Sequence, residues 1–86
     1  MAELKVSVVS ADREVWSGQA KQIIARTTEG EIGILPGHEP ILAILAKGEV
    51  RVTAEDGSVI TANADDGFLS VEHDTVTIVA RNAELV

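Results

Sequence analysis

Apolar and polar residues alternate along most of this chain with a period of two. Leu4, Val6 and Val8 alternate with Lys5, Ser7 and Val9. Val50, Val52 and Ala54 alternate with Glu49, Arg51 and Thr53. Ile60 and Ala62 share one face of Val59 to Ala64, and Val76 and Ile78 share one face of Thr75 to Ala80. That period belongs to strands with one face on a core. Lys21 to Thr27 is apolar on both sides, with Ile23 and Ala25 against Ile24, as expected of a strand inside a sandwich. Glu14 to Ser17, Glu31 to Leu35, Ile41 to Leu45 and Phe68 to Glu72 complete the strands, with Arg81 to Val86 a short last strand or tail.

Turn-forming residues punctuate these runs. Ala11-Asp12-Arg13, Gly18, Thr28-Glu29-Gly30, Lys47-Gly48, Asp56-Gly57, Asp65-Asp66-Gly67 and His73-Asp74 read as breaks or turns. Asp56-Gly57 is the strongest hairpin signal and predicts a two-residue loop. The spacing predicts an all-β domain over residues 1–86: an antiparallel β-sandwich of about ten short strands.

Composition agrees. The chain holds 11 Val, 8 Ile and 6 Leu, so β-branched residues dominate the apolar set. They fit a pleated surface and lose side-chain freedom in a helix. Charge narrows the function. The net charge of −7 opposes phosphate backbones, so nucleic acid is not the expected partner. No apolar run approaches the ~20 residues of a membrane-spanning helix, and no basic segment followed by an apolar stretch opens the chain. Any role at a membrane is expected to be indirect, through another protein.

Candidate chemistry is sparse. Two histidines, His38 and His73, and no cysteine argue against a metal site. No G-x-S-x-G elbow supports a nucleophilic enzyme, and the glycine spacing fits no phosphate-binding loop. The acidic pairs Glu29/Glu31 and Asp65/Asp66 sit at glycine turns, where carboxylates are usually hydrated. No catalytic residue, metal or cofactor is expected. A glycan- or peptide-binding sandwich is the main rival, and it requires Trp16 and Phe68 both exposed for stacking. A small esterase would need a pocket with a base beside a nucleophile.

Residues 30–40 read Gly-Glu-Ile-Gly-Ile-Leu-Pro-Gly-His-Glu-Pro. A short apolar strand runs into a loop with prolines at both ends, which limits the loop's freedom and suits a docking surface. This stretch resembles the signature of the epsilon subunit of F-type ATP synthases. Val-Val-Ser-Ala at 8–11, Trp-Ser-Gly at 16–18, Lys-Gly-Glu-Val at 47–50, Gly-Phe-Leu-Ser-Val at 67–71 and Val-Thr-Ile-Val-Ala at 76–80 follow in that family's order. The wording from Asp12 to Gly18 is similar to actinobacterial members.

The resemblance implies a ten-stranded sandwich in the rotating central stalk, at the cytoplasmic face of a bacterial cell membrane. Such a subunit is non-catalytic. It binds the gamma subunit and the c-ring and couples proton flow to ATP synthesis. The ring contact maps onto Glu31, with Glu29 beside it on the same acidic edge. The gamma contacts map onto Ser10, His38, Ile41, Leu42 and Ala43, with an apolar patch expected around Leu42. Two departures stand out. Asp66 occupies the place of the first glycine in a usual Gly-Gly pair. Nothing in the chain matches the C-terminal helical hairpin that restrains ATP hydrolysis in many members, so inhibition and nucleotide sensing do not carry over.

Overall fold

The computed structural model describes residues 3–11 and 13–85. Among them the secondary structure is strand and turn throughout. Six strands form: β1 (Leu4–Val9), β2 (Glu14–Thr27), β3 (Gly30–Ile34), β4 (Ile41–Ala54), β5 (Val59–Glu72) and β6 (Thr75–Leu85). The expected turn at Ala11-Asp12-Arg13 includes Asp12, which lies outside the described residues, as does Val86 at the end of the expected tail.

The strands run in the order β1-β6-β5-β4-β2-β3, and β1 also pairs with β2, closing a flattened barrel. Neighbours are antiparallel except β1 and β6, which are parallel, with Val6 beside Val76 and Val8 beside Ile78. The expected count of about ten short strands is corrected to six. β2 passes Gly18 in regular register with Val6 and shifts register between Ala20 and Gln22, while β4 and β5 bend at Lys47-Gly48 and Asp65-Asp66-Gly67 and continue through them. Between Ala25↔Val50 and Thr27↔Leu45, β4 carries extra residues that β2 lacks, a bulge at Lys47-Gly48. In β5, Asp65 pairs with Asn82 and Gly67 with Ala80, while Asp66 turns left-handed at φ 58°. Asp is among the few non-glycine residues that tolerate this conformation.

Gly67 is needed for a different reason. A Cβ there would lie 1.9 Å from the Val79 carbonyl oxygen and 2.5 Å from the Ala80 Cα. The β5 and β6 backbones meet at that bend with no room for a side chain.

Because of these bends, β2, β4, β5 and β6 each serve both walls of the barrel. One wall contains β1 with residues 14–20, 41–45, 67–72 and 75–80. The other contains β3 with residues 23–27, 48–54, 59–64 and 82–85. Leu4, Ile23, Ile34, Leu69 and Ile78 are wholly buried between the walls, joined by Val8, Val50, Val52, Val71 and Val76. Each such side chain contributes roughly 1.5–3 kcal/mol.

The hairpins follow their local chemistry. His73 and Asp74 are both left-handed, at φ 49° and 61°, and Glu72 pairs with Thr75 across them. This is the primed two-residue turn that suits the strand twist. The β4–β5 connection is longer than the expected two residues. Ala54 N–H donates to Ser58 C=O at 2.8 Å, leaving Glu55-Asp56-Gly57 as the loop with Gly57 left-handed at φ 93°.

Candidate docking faces

The two walls present different outer surfaces. Register fixes which residues share a face, because directly opposed residues point the same way. On the wall holding β1, one row runs Val9–Val79–Phe68–Ile44 and the next runs Ser7–Thr77–Ser70–Leu42. These eight positions are uncharged, but charge flanks them: Glu14 opposes Val9 and accepts from the Ser7 hydroxyl at 3.4 Å, and the next row on the face runs Lys5–Thr75–Glu72. Leu42 is 70% exposed, Ile44 57% and Phe68 39%. Large apolar side chains are thus gathered on one outer face of an acidic protein.

The other wall is polar. Arg26 opposes Glu31, Arg51 opposes Thr61, Glu49 opposes Asn63 and Asn63 opposes Glu84. The Arg51 guanidinium lies 3.5 Å from the Glu31 carboxylate, with both side chains about half exposed. Glu29 lies exposed in the β2–β3 turn, where its N–H donates to Thr27 Oγ1 at 3.2 Å. The Thr27 hydroxyl donates in turn to Gly30 C=O at 2.7 Å and ties the turn shut.

Between the two surfaces runs the loop from β3 to β4. Leu35 is exposed, Pro36 and Gly37 turn the chain, and His38 N–H donates to Leu35 C=O at 3.1 Å. Gly37, left-handed at φ 89°, donates its N–H to Asp74 Oδ1 at 2.7 Å. His38 is half-buried, and its Nδ1 sits 2.7 Å from the Glu39 carbonyl oxygen. A carbonyl oxygen only accepts, so this contact places the proton on Nδ1.

Of the residues the sequence nominated, Leu42, Glu29 and Glu31 are exposed, and His38 is half-buried beside them in the chain. Ile41 and Ala43 flank Leu42 in a strand and so point the other way; both are half-buried, and Ile41 packs on the core. Ser10 is buried, and its N–H and hydroxyl both donate to Arg13 C=O, at 2.8 and 3.1 Å. Ile44, Phe68 and Val79 went unnominated. Alternation marks them as one face of their strands, but joining the strands into one patch requires the tertiary register.

Trp16 and Phe68 do not form a stacking platform. Trp16 opposes buried Val8 and packs on the core, with its ring over Gly18, whereas Phe68 points outward. A cleft of about 620 Å³ opens beside Ser10, Arg13, Lys47, Asn63, Arg81 and Glu84. Asp65 lines it as well, and the Ser10 hydroxyl beside it donates to the Arg13 carbonyl rather than to a carboxylate.

Comparison with known proteins places these faces in context. The family described as "ATP synthase, Delta/Epsilon chain, beta-sandwich domain" matches residues 3–86. The chain is 56% identical over 85 residues to the ATP synthase epsilon chain of Micrococcus luteus, covering 99% of this chain and 93% of that one. It is 46% identical over 84 residues to the Streptomyces coelicolor epsilon chain, covering 98% of this chain and 68% of that one. Among solved structures, a chain of the Euglena gracilis mitochondrial ATP synthase, in an assembly of OSCP, F1 and c-ring, superposes with a TM-score of 0.92 at 29% identity. The match covers 99% of this chain and 54% of the other, so this chain spans about half of that one. A chain of the Tetrahymena thermophila central stalk and c-ring shares the fold at TM-score 0.74 and 17% identity, over 93% of this chain and 64% of that one.

Proposed function

The chain belongs to the delta/epsilon β-sandwich family of ATP synthases, and on that premise we propose that its residues 1–86 form a non-catalytic rotor domain joining the gamma subunit to the c-ring. The domain then sits at the cytoplasmic face of a bacterial membrane, held there through the complex rather than by lipid contact. Its part in ATP synthesis is to turn with its partners and pass their motion on.

The observation that carries this reading is the run of apolar outward positions Val9–Val79–Phe68–Ile44 with Leu42 beside it. Such a face gains from being covered, at roughly 25 cal/mol per Å² of apolar surface removed from water. The gamma subunit is the proposed cover, with His38 at the margin of the contact. A permanent contact of this kind is expected to bury about 800 Å² on each partner.

The polar wall and the β2–β3 turn supply the proposed ring contact through Glu29 and Glu31. The Glu31–Arg51 pair gives that edge both signs of charge, which favours orientation over raw affinity. A glycan-binding role finds no support here, because the two aromatic rings lie on opposite faces.

The test is a pull-down of gamma subunit and c-ring from the same source with the tagged chain. Retention of both is the expected result. Failure of the chain to retain gamma at physiological salt would overturn the assignment.

A further inference from the structure

We propose that Asp74, on the β5–β6 turn, is a positioning residue that presets the Pro36–His38 loop for docking. The inference rests on the reading above that this loop borders the gamma contact.

The loop's own bonds are short-range: His38 N–H to Leu35 C=O, and the His38 ring to Glu39 C=O. They shape the turn without fixing it to the barrel. The Gly37 N–H bond to Asp74 Oδ1 reaches across 37 positions of sequence and does fix it. At 2.7 Å, with a carboxyl oxygen as acceptor, it is a short hydrogen bond.

The acceptor is itself held in place. Asp74 is left-handed within a two-residue turn, and its carbonyl oxygen accepts the Lys5 N–H at 2.8 Å. One residue therefore ties three segments together: the start of β1, the β5–β6 turn and the β3–β4 loop. Prolines at 36 and 40 restrict their own backbone, but Gly37 between them has the widest conformational freedom of any residue. Fixing that one glycine removes most of the loop's remaining disorder before a partner arrives, so less ordering is left to oppose binding.

Two variants separate the side chain from the turn. Asp74→Gly keeps the left-handed backbone and deletes the carboxylate. Asp74→Asn keeps an acceptor oxygen and tolerates the same conformation. In Asp74→Gly the Gly37 amide should exchange with solvent about tenfold faster, the loss expected for one hydrogen bond. The core amides of Leu69 and Ile78 should not change. Affinity for gamma should fall about three- to tenfold, and Asp74→Asn should restore most of both effects.

Unchanged Gly37 exchange overturns the proposal, as does faster exchange with unchanged affinity. His38→Ala is the reference. If it weakens gamma binding while Asp74→Gly does not, the positioning role fails alone. If neither variant weakens binding, this loop does not border the contact, and both the reading and the inference fall.

Discussion

Ile44 and Phe68 stand directly opposite one another on β4 and β5, both turned to solvent in the apolar middle of one outer face. Leu42, two residues along the same strand, is the most exposed of the large apolar side chains. Leu42→Asp should therefore cost the isolated fold little, within about 0.5 kcal/mol. At a covered interface the same carboxylate would be buried without a partner, a penalty of about 3–5 kcal/mol. Gamma binding followed by calorimetry should weaken at least a hundredfold while the urea midpoint holds. Normal affinity would mean that a different face docks.

Glu31 and Arg51 offer a test of the polar wall. Both side chains are about half exposed, so their pairing contributes at most about 1 kcal/mol. Glu31→Lys places a third cation beside Arg26 and Arg51, yet the melting temperature should drop by only a few degrees. Coupling should suffer more, seen as reduced proton pumping in reconstituted vesicles. Full pumping would remove Glu31 from the proposed ring contact.

The β5 bend predicts opposite outcomes at adjacent positions. Gly67→Ala drives a methyl into the Val79 carbonyl and should destabilise the fold by about 3 kcal/mol or more. Asp66→Gly relieves a left-handed non-glycine residue and should be neutral or stabilising by up to about 1 kcal/mol. Guanidinium denaturation of the two variants decides the matter, and equal stabilities would contradict the bend geometry.

At the β4–β5 loop, Asp56 Oδ1 accepts both the hydroxyl and the N–H of Ser58, at 2.6 and 2.9 Å. These bonds hold the Asp56 carboxyl below its ordinary 3.8. A carboxylate lowered by folding adds stability above its unfolded pKa, and that contribution disappears as pH falls through the folded value. Ser58→Ala should raise the Asp56 titration midpoint, read from its carboxyl carbon by NMR, and blunt the loss of stability in acid. A midpoint unmoved by the substitution would show that the serine bonds do not set it.

Much of the fold is legible in local alternation. Every strand core from Leu4-Val6-Val8 to Val76-Ile78 faces inward as its period of two requires, and His73-Asp74 turns where a hairpin is needed. The bends are harder. Gly18, Lys47-Gly48 and Asp65-Asp66-Gly67 carry the same residues that end a strand, and only continued pairing with a neighbour shows that the strand goes on. That pairing is non-local, as is the parallel contact of β1 with β6. The site divides the same way. Exposure of Glu29 and Glu31 follows from turn chemistry, whereas Leu42 lies in the unbroken apolar run Ile41 to Leu45, where no local alternation marks the outward face. Ile41-Leu42-Ala43 taken as one contact conflicts with alternation, since consecutive strand residues cannot share a face. The Asp74 bond to Gly37 leaves no local trace in the sequence.

Four of the six strands cross from one wall to the other without a break. Sliding one wall over the other would therefore require stretching covalent backbone and unzipping ladder hydrogen bonds at several bends at once. A sandwich whose sheets are joined only by loops has a slip plane through its greasy middle; this one does not. Whatever grips the face of Leu42 and Phe68 has, through continuous chain, hold of the face of Glu31 and Arg51 as well.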